Sequence, residues 1–329
     1  MSSLAAAPQR RGRLARLLLG DGSRRPRNDV RRRIGEKPWT PYLFLAPHFI
    51  IFAIFILFPF FFGIYISFHD WFGGRAGPFV GLRWYEQLFT PSSLQFARFW
   101  NSVVNTLIFV VLSTPLLVGA GLFLASLLNQ RLRGRNVFRG IYFVPWTLSV
   151  SVVGLIWWWM FNGNAGFVTL AMRDFLGWSP NWLASNPWAW ISILIATLWW
   201  TIGFNTIVFL AGMQGISADL YEAAAVDGAN KWQQFRSITL PSLRPILLLV
   251  ITLQIIASFQ LVGQPQLMTG GGPPSSLGGE TTPALLHIYN VGFQGRRELS
   301  LAAAMALVVA AMMVVVSIVN FRLFSSERS

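Results

Sequence analysis

Side chains able to make or break bonds are scarce in this chain. Histidine occurs only at His48, His69 and His287, without metal-ligand spacing, and cysteine is absent, which removes thiolate catalysis, disulfides and sulfur metal sites together. No GxxxxGK[ST] loop is present, and neither Lys37 nor Lys231 follows a glycine-rich turn, so the chain has no P-loop of its own. Asp70, Glu86 and Asp174 are isolated carboxylates, whereas acid–base catalysis needs a converging set. The chain reads as a non-enzyme, with no catalytic residue, metal or cofactor expected.

Two groups of residues carry recognition chemistry instead. Thr197, Trp200, Thr201 and Phe204 recur at i, i+3, i+4 and i+7, which on a helix forms one face mixing hydroxyls with aromatic rings. Gln254, Ser258 and Leu261, with Gln260 adjacent, make a comparable face further on. Such faces suit a ligand with apolar C–H surfaces and a rim of hydroxyls. An alternative reading has the Thr and Ser hydroxyls bonded to their own helix backbone, with Trp200 turned to lipid or a neighbouring helix.

The second group is S-A-D-L-Y-E-A-A-A-V-D-G-A-N-K-W-Q-Q-F-R-S-I-T-L-P-S-L-R-P, Ser217 to Pro245. Ser217 suits a helix N-cap, and Asp219 and Glu222 put negative charge near the positive end of the helix dipole. Ala223, Ala224 and Ala225 favour helix and keep its surface low, so another protein can approach closely. Gly228 permits a sharp change of direction. A second helical stretch should carry Trp232, Phe235 and Ile238 or Thr239 on one face, ending at Pro241. An amphipathic loop resting on lipid is disfavoured, because Asp219, Glu222 and Asp227 would face anionic headgroups.

The elements that position these groups are apolar helices. Only 12% of the 329 residues are charged and 54% are hydrophobic, where a soluble domain would be about a quarter charged. Runs at 43–68, 103–128, 141–161, 189–213, 245–268 and 300–321 contain no Asp, Glu, Lys or Arg. About 20 helical residues cross a ~30 Å hydrocarbon core, so each run is long enough to span. The fold expected is all-α, a polytopic membrane protein with six transmembrane helices. The runs do not alternate as barrel strands would, and the first is too long for a cleaved signal peptide. Trp157, Trp158 and Trp159 read as an interfacial belt at the outer end of span 3.

The net charge of +14 then reports orientation. Twenty Lys and Arg lie before span 1, after spans 2 and 4 and in the C-terminal tail, against six after spans 1, 3 and 5. Both termini and the Ser217–Pro245 loop are therefore expected in the cytoplasm. Residues 1–40 form a basic tail that cannot bury a core. No aromatic residue precedes Trp39 to stack on a base, so nucleic acid is not an expected partner. Residues 41–323 make one membrane domain with a cytoplasmic loop at 214–245, and 324–329 a short cytoplasmic tail. With His48 the only ionisable side chain in the spans, a proton-driven mechanism is disfavoured, while sodium coupling through backbone carbonyls is less well excluded.

E-A-A-A-V-D-G-A at Glu222 to Ala229, followed by Phe235, Ile238, Leu240, Pro241 and Pro245, resembles the EAA loop of ATP-binding-cassette importer permeases. The resemblance runs from about Trp199 to the end of the chain and implies a type I importer permease fold. It implies that Glu222, Ala223, Ala224, Asp227, Gly228, Ala229, Phe235, Leu240 and Pro241 form coupling helices docking into a groove of a separate ATPase subunit, with Glu222 meeting a basic residue there. The implied partners are a second homologous permease, two cytoplasmic ATPase subunits, an extracytoplasmic sugar-binding protein and membrane lipid. The implied location is a bacterial or archaeal plasma (inner) membrane.

F-Q-L-V-G-Q-P-Q-L-M-T-G-G-G-P, Phe259 to Pro273, and H-I-Y-N-V-G-F, His287 to Phe293, are similar to the outer part of carbohydrate-type permeases of the maltose class. That class's two additional N-terminal helices and large insert have no counterpart here, as in its shorter relatives. The resemblance implies a sugar importer with the faces at Thr197 and Gln254 lining its pathway. A permease of the same superfamily for a glycerophosphodiester would call for Arg or Lys on those faces, and one for a polyamine for Asp or Glu. Neither occurs in the spans. The cysteine-free background makes the orientation testable. Single cysteines at positions 296 and 231, treated with an impermeant thiol reagent on whole cells, should react at 296 and stay unlabelled at 231; the reverse pattern inverts the topology.

Overall fold

The computed structural model describes residues 39–72, 75–130, 134–275, 278–294 and 297–325. The expectations for the basic tail before Trp39, for Arg296 and for the last four residues lie outside the described residues. The chain divides into two units, one ending at Phe61 and the other starting at Phe62. In the first, helix Thr40–Phe52 passes through a π turn, Ala53–Leu57, into the helix that begins at Phe58. Pro59 explains that turn. Lacking an N–H, it cannot serve the carbonyl four residues back, and a widened turn relieves the clash of its ring.

In the second unit, spans 2, 4 and 6 are single helices: Leu94–Leu128, Trp188–Gln214 and Leu299–Ser325. Together with Tyr42–Ser67, the described residues hold four helices long and apolar enough to cross a bilayer. Span 2 starts well before its apolar run, at a cap where Ser93 Oγ accepts from the Gln95 N–H at 3.1 Å.

The other two expected spans are corrected by the structure. Run 141–161 is broken into helix Arg135–Phe143, a 3₁₀ turn Val144–Thr147 and helix Val150–Met160, and its two arms are bent by 100°. Pro145, which has no N–H to donate, sits in the break, and Ser149 caps the second arm by accepting from the Val152 N–H. Run 245–268 is helix Arg244–Phe259, an interruption after Gln260, and a π turn Pro265–Thr269. At its other end it bends by 70° from the segment Lys231–Ser242. Counting each bent pair as one span gives six. The chain is mainly helical, with two small antiparallel hairpins added: His69–Phe72 with Arg75–Phe79, and Pro274–Ser275 with Gly278–Gly279.

Three clusters of buried side chains hold the second unit together. Phe99, Leu301 and Met305 anchor the start of span 2 on span 6. Phe109, Trp190 and Ile193 join spans 2 and 4 beside Leu261 and Met268. Val118, Phe209, Met213 and Leu243 join them again near the loop. Between the last two clusters, Gly203 of span 4 meets the break in span 3: a Cβ there would run into the Tyr142 carbonyl oxygen. The outward sides of the helices carry exposed Val111, Leu116, Phe123, Val314 and Ile318, an unsuitable surface in water but the ordinary one in hydrocarbon.

Gly203→Leu should therefore force the break away from span 4 at a cost of about 1–3 kcal/mol. A lowered thermal midpoint of the purified protein in detergent checks this. Gly119→Ala, where an added Cβ meets nothing within 4 Å, should leave the midpoint unchanged or slightly raised.

Candidate functional site

Thr197, Trp200, Thr201, Gln254, Ser258, Gln260 and Leu261 line one cavity of about 350 Å³. The two sequence faces therefore converge, and the breaks in spans 3 and 5 are what lets them do so: Trp146 and Val150 from one break, and Val262, Gly263 and Gln264 from the other, complete the wall. Phe204 is not among the lining residues. Its ring stacks on Trp146 at 4.8 Å, and Trp146 in turn lies 5.8 Å from Trp200, so Phe204 backs the aromatic wall from behind.

The threonine hydroxyls behave as the alternative reading had it, whereas the Ser258 hydroxyl meets other side chains. Thr197 donates to the Ile193 carbonyl and Thr201 to the Thr197 carbonyl, each at 2.8 Å. That spends each proton and leaves oxygen lone pairs as acceptors. Trp200 Nε1 donates to the Leu148 carbonyl at 3.2 Å, serving a backbone acceptor in the break of span 3. Behind the cavity runs a buried polar chain. Ser258 and Ser113 hydroxyls are 3.0 Å apart, Gln254 Nε2 lies 3.4 Å from Ser258 Oγ, and Asn205 Nδ2 donates to the Leu117 carbonyl at 3.3 Å. No ionisable side chain is among the lining residues. The site can accept hydrogen bonds from hydroxyls and stack on apolar ring faces, and it offers no counter-charge.

Sequence reasoning missed Trp146, Gln264 and Asn205. Pro145 was the available signal for Trp146, since a proline within a run marks a break that exposes its neighbours. In the tryptophan run, Trp158 and Trp159 are exposed, but Trp157 packs inward, on Phe161 at 5.2 Å and against Trp199 at 5.8 Å.

The loop after span 4 is folded throughout. Ser217 caps helix Ala218–Val226, its Oγ accepting from the Asp219 N–H at 3.3 Å. The helix ends in a Schellman motif: the Ala229 N–H reaches the Ala224 carbonyl at 2.8 Å and the Gly228 N–H the Ala225 carbonyl at 3.1 Å, with Gly228 at φ +82°. A capping box follows at once. Asn230 N–H donates to Gln233 Oε1 at 2.7 Å, and Gln233 N–H to Asn230 Oδ1 at 2.9 Å, a pairing that the N-x-x-Q spacing announces.

The next helix, Lys231–Gln234, continues through a π turn, Phe235–Thr239, into Leu240–Ser242, so Pro241 lies inside the helical segment and the true bend is at Leu243. Trp232 and Phe235 stack at 5.7 Å. Gln234, Thr239 and Leu243 are the buried positions. The Tyr221 and Thr239 hydroxyls, 2.9 Å apart, tie the two helices together. Asp219, Glu222, Ala223 and Val226 share one face, all exposed, Val226 by 89%.

Broken helices lining a cavity are what a solute path through a bilayer requires, because irregular backbone survives at that depth only beside protein or water. The class so defined is the membrane transport permease. The chain belongs to the family described as binding-protein-dependent transport system inner membrane component, whose model matches residues 117–326. It is 38% identical over 259 residues to the trehalose/maltose transport system permease protein MalF of Thermococcus litoralis, covering 77% of this chain and 84% of that one. It is 33% identical over 288 residues to the sn-glycerol-3-phosphate transport system permease protein UgpA of Yersinia pestis, covering 86% and 93%. Its fold matches a chain of a bacterial ABC transporter involved in the import of the acidic polysaccharide alginate, with TM-score 0.76 and 24% identity over 92% and 99% of the two chains.

Because Gly228 holds a left-handed conformation, Gly228→Ala should cost about 1–2 kcal/mol. Hydrogen exchange at the Ala229 amide should then speed up by roughly 5- to 30-fold.

Proposed function

We propose that this chain is one translocation half of an ATP-driven sugar importer, paired with a second permease and coupled to two cytoplasmic ATPase subunits, with an extracytoplasmic binding protein delivering the sugar. The chain itself does no catalysis. The observation that carries the substrate class is the neutral cavity, whose lining combines the rings of Trp146 and Trp200 with the hydroxyl and amide oxygens of Thr197, Thr201, Gln254 and Gln260. A sugar presents apolar faces to the first and hydroxyl donors to the second. A glycerol phosphate, the substrate class named for one relative, would meet no cation there, and a polyamine no anion.

The coupling role falls to the loop. Glu222, Ala223, Ala224, Asp227, Gly228 and Ala229 would form the docking helix and its turn, and Phe235, Leu240 and Pro241 the segment that carries motion into span 5. In support, the helix is capped at both ends and tied to the next by Tyr221 and Thr239, while its acidic face is left open. That face would lie in the cytoplasm together with both termini, on the side with the basic excess.

The test is transport by the reconstituted transporter. Glu222→Ala should assemble with the partner permease yet lose about 10-fold or more of substrate-stimulated ATP hydrolysis, since a charge-assisted bond is worth roughly 1.5–3 kcal/mol. Trp200→Ala should lower sugar uptake about 3- to 10-fold with assembly intact. Unchanged hydrolysis in the first and unchanged uptake in the second would remove the coupling and pathway assignments respectively.

A further inference from the structure

A second and larger cavity, of about 690 Å³, opens where span 2 meets the loop. Its lining includes Leu122 and Phe123 of span 2, which continue into the polar Ser126 and Asn129, with Lys231 and Trp232 from the loop. We propose that this groove binds one anionic phospholipid of the cytoplasmic leaflet, its acyl chain along Leu122 and Phe123 and its phosphate at Lys231. The bound lipid braces the second loop helix against span 2. The proposal rests on the cytoplasmic placement of the loop given above.

Three observations select this occupant. The floor belongs to the uncharged run 103–128, so it lies at hydrocarbon depth, yet the chain leaves it uncovered: Phe123 is 64% exposed. The rim changes character where the headgroups would begin. Trp232, 68% exposed, is the residue type that favours the interface, and the Lys231 ammonium has no carboxylate partner among the described residues. The charge is also divided between the two helices. Asp219, Glu222 and Asp227, which repel anionic lipid, all precede Gly228, while the segment from Lys231 to Ser242 carries Lys231 and Arg236 and no acid. Floor and rim are joined through the cluster in which Leu122 and Phe235 pack with Val118, Phe209 and Leu243, and the two loop helices are tied to each other by the Tyr221–Thr239 contact and by Gln234 Nε2 donating to the Ala229 carbonyl at 3.2 Å. The site is therefore pre-formed, and its volume is within the usual ~300–1,000 Å³ of ligand sites.

The experiment uses the complete transporter in nanodiscs of phosphatidylcholine, with and without phosphatidylglycerol, analysed by native mass spectrometry after release into detergent. The unmodified chain should retain one phosphatidylglycerol. Lys231→Gln should reduce retention about fivefold, the factor for the ~1 kcal/mol that one lysine contributes near an anionic surface. Gly119→Phe, which extends into the groove from a position with open space around it, should abolish it. Retention equal to the unmodified chain in both variants, or no retained lipid in the unmodified transporter, overturns the proposal. Loss of the partner permease or the ATPase from Gly119→Phe would make the groove a protein interface, and also overturns it. Substrate-stimulated ATP hydrolysis of the unmodified transporter in phosphatidylcholine discs reads the importer assignment separately, so the two can fail independently.

Discussion

Every backbone N–H and C=O inside a bilayer must find a partner within the protein, and the architecture follows from that demand. Uninterrupted helices meet it by themselves, as spans 2, 4 and 6 do. Where spans 3 and 5 break, the freed groups need other partners, and the two breaks are found side by side at the cavity. Trp200 supplies one partner directly through its bond to the Leu148 carbonyl. The same side chain thus repairs the backbone and forms part of the cavity wall. The interruption is tolerated because it faces a cavity, and the cavity exists because the helices are interrupted there.

At the other end of the unit, geometry is fixed by terminal hydrogen bonds more than by burial. Helix Ala218–Val226 has no buried residue, so packing contributes little to its position. Its N-cap, the Schellman closure at Gly228, the capping box at Asn230 and the Tyr221–Thr239 contact together leave few torsions free between Ser217 and Leu243. Such a loop can transmit force as a body while its outer face stays bare. The tie from Thr239 into the segment entering span 5 gives any displacement of the first helix a short mechanical route to the Gln254 face.

The sequence disclosed the apolar runs, the two polar–aromatic helix faces and the turn at Gly228, because each depends on local composition or spacing. It concealed direction. A hydropathy run is blind to a bend of 100° at Pro145, so run 141–161 read as one straight helix and Trp146 was lost among other apolar residues. Phe204 was read with the face at Thr197 because a helical wheel shows which residues share a face but not what stands before them; at the cavity Trp146 does. Asn205 and Gln264 were invisible for a related reason, since a single amide in an apolar run acquires meaning only from partners far away in the chain.

The π turn at Phe235–Thr239 has a consequence for chain length. The buried positions Gln234, Thr239 and Leu243 are spaced by five and then four residues, so this helix carries one residue more than an α-helix needs to present the same side chains inward. Deleting a residue between Gln234 and Thr239 would restore a spacing of four and four, and the stripe would survive on an ordinary helix. The same deletion would withdraw the slack that lets Pro241 sit in the helix, returning its ring to the preceding turn. A homologous loop lacking Pro241 could therefore be one residue shorter without altering which side chains face inward.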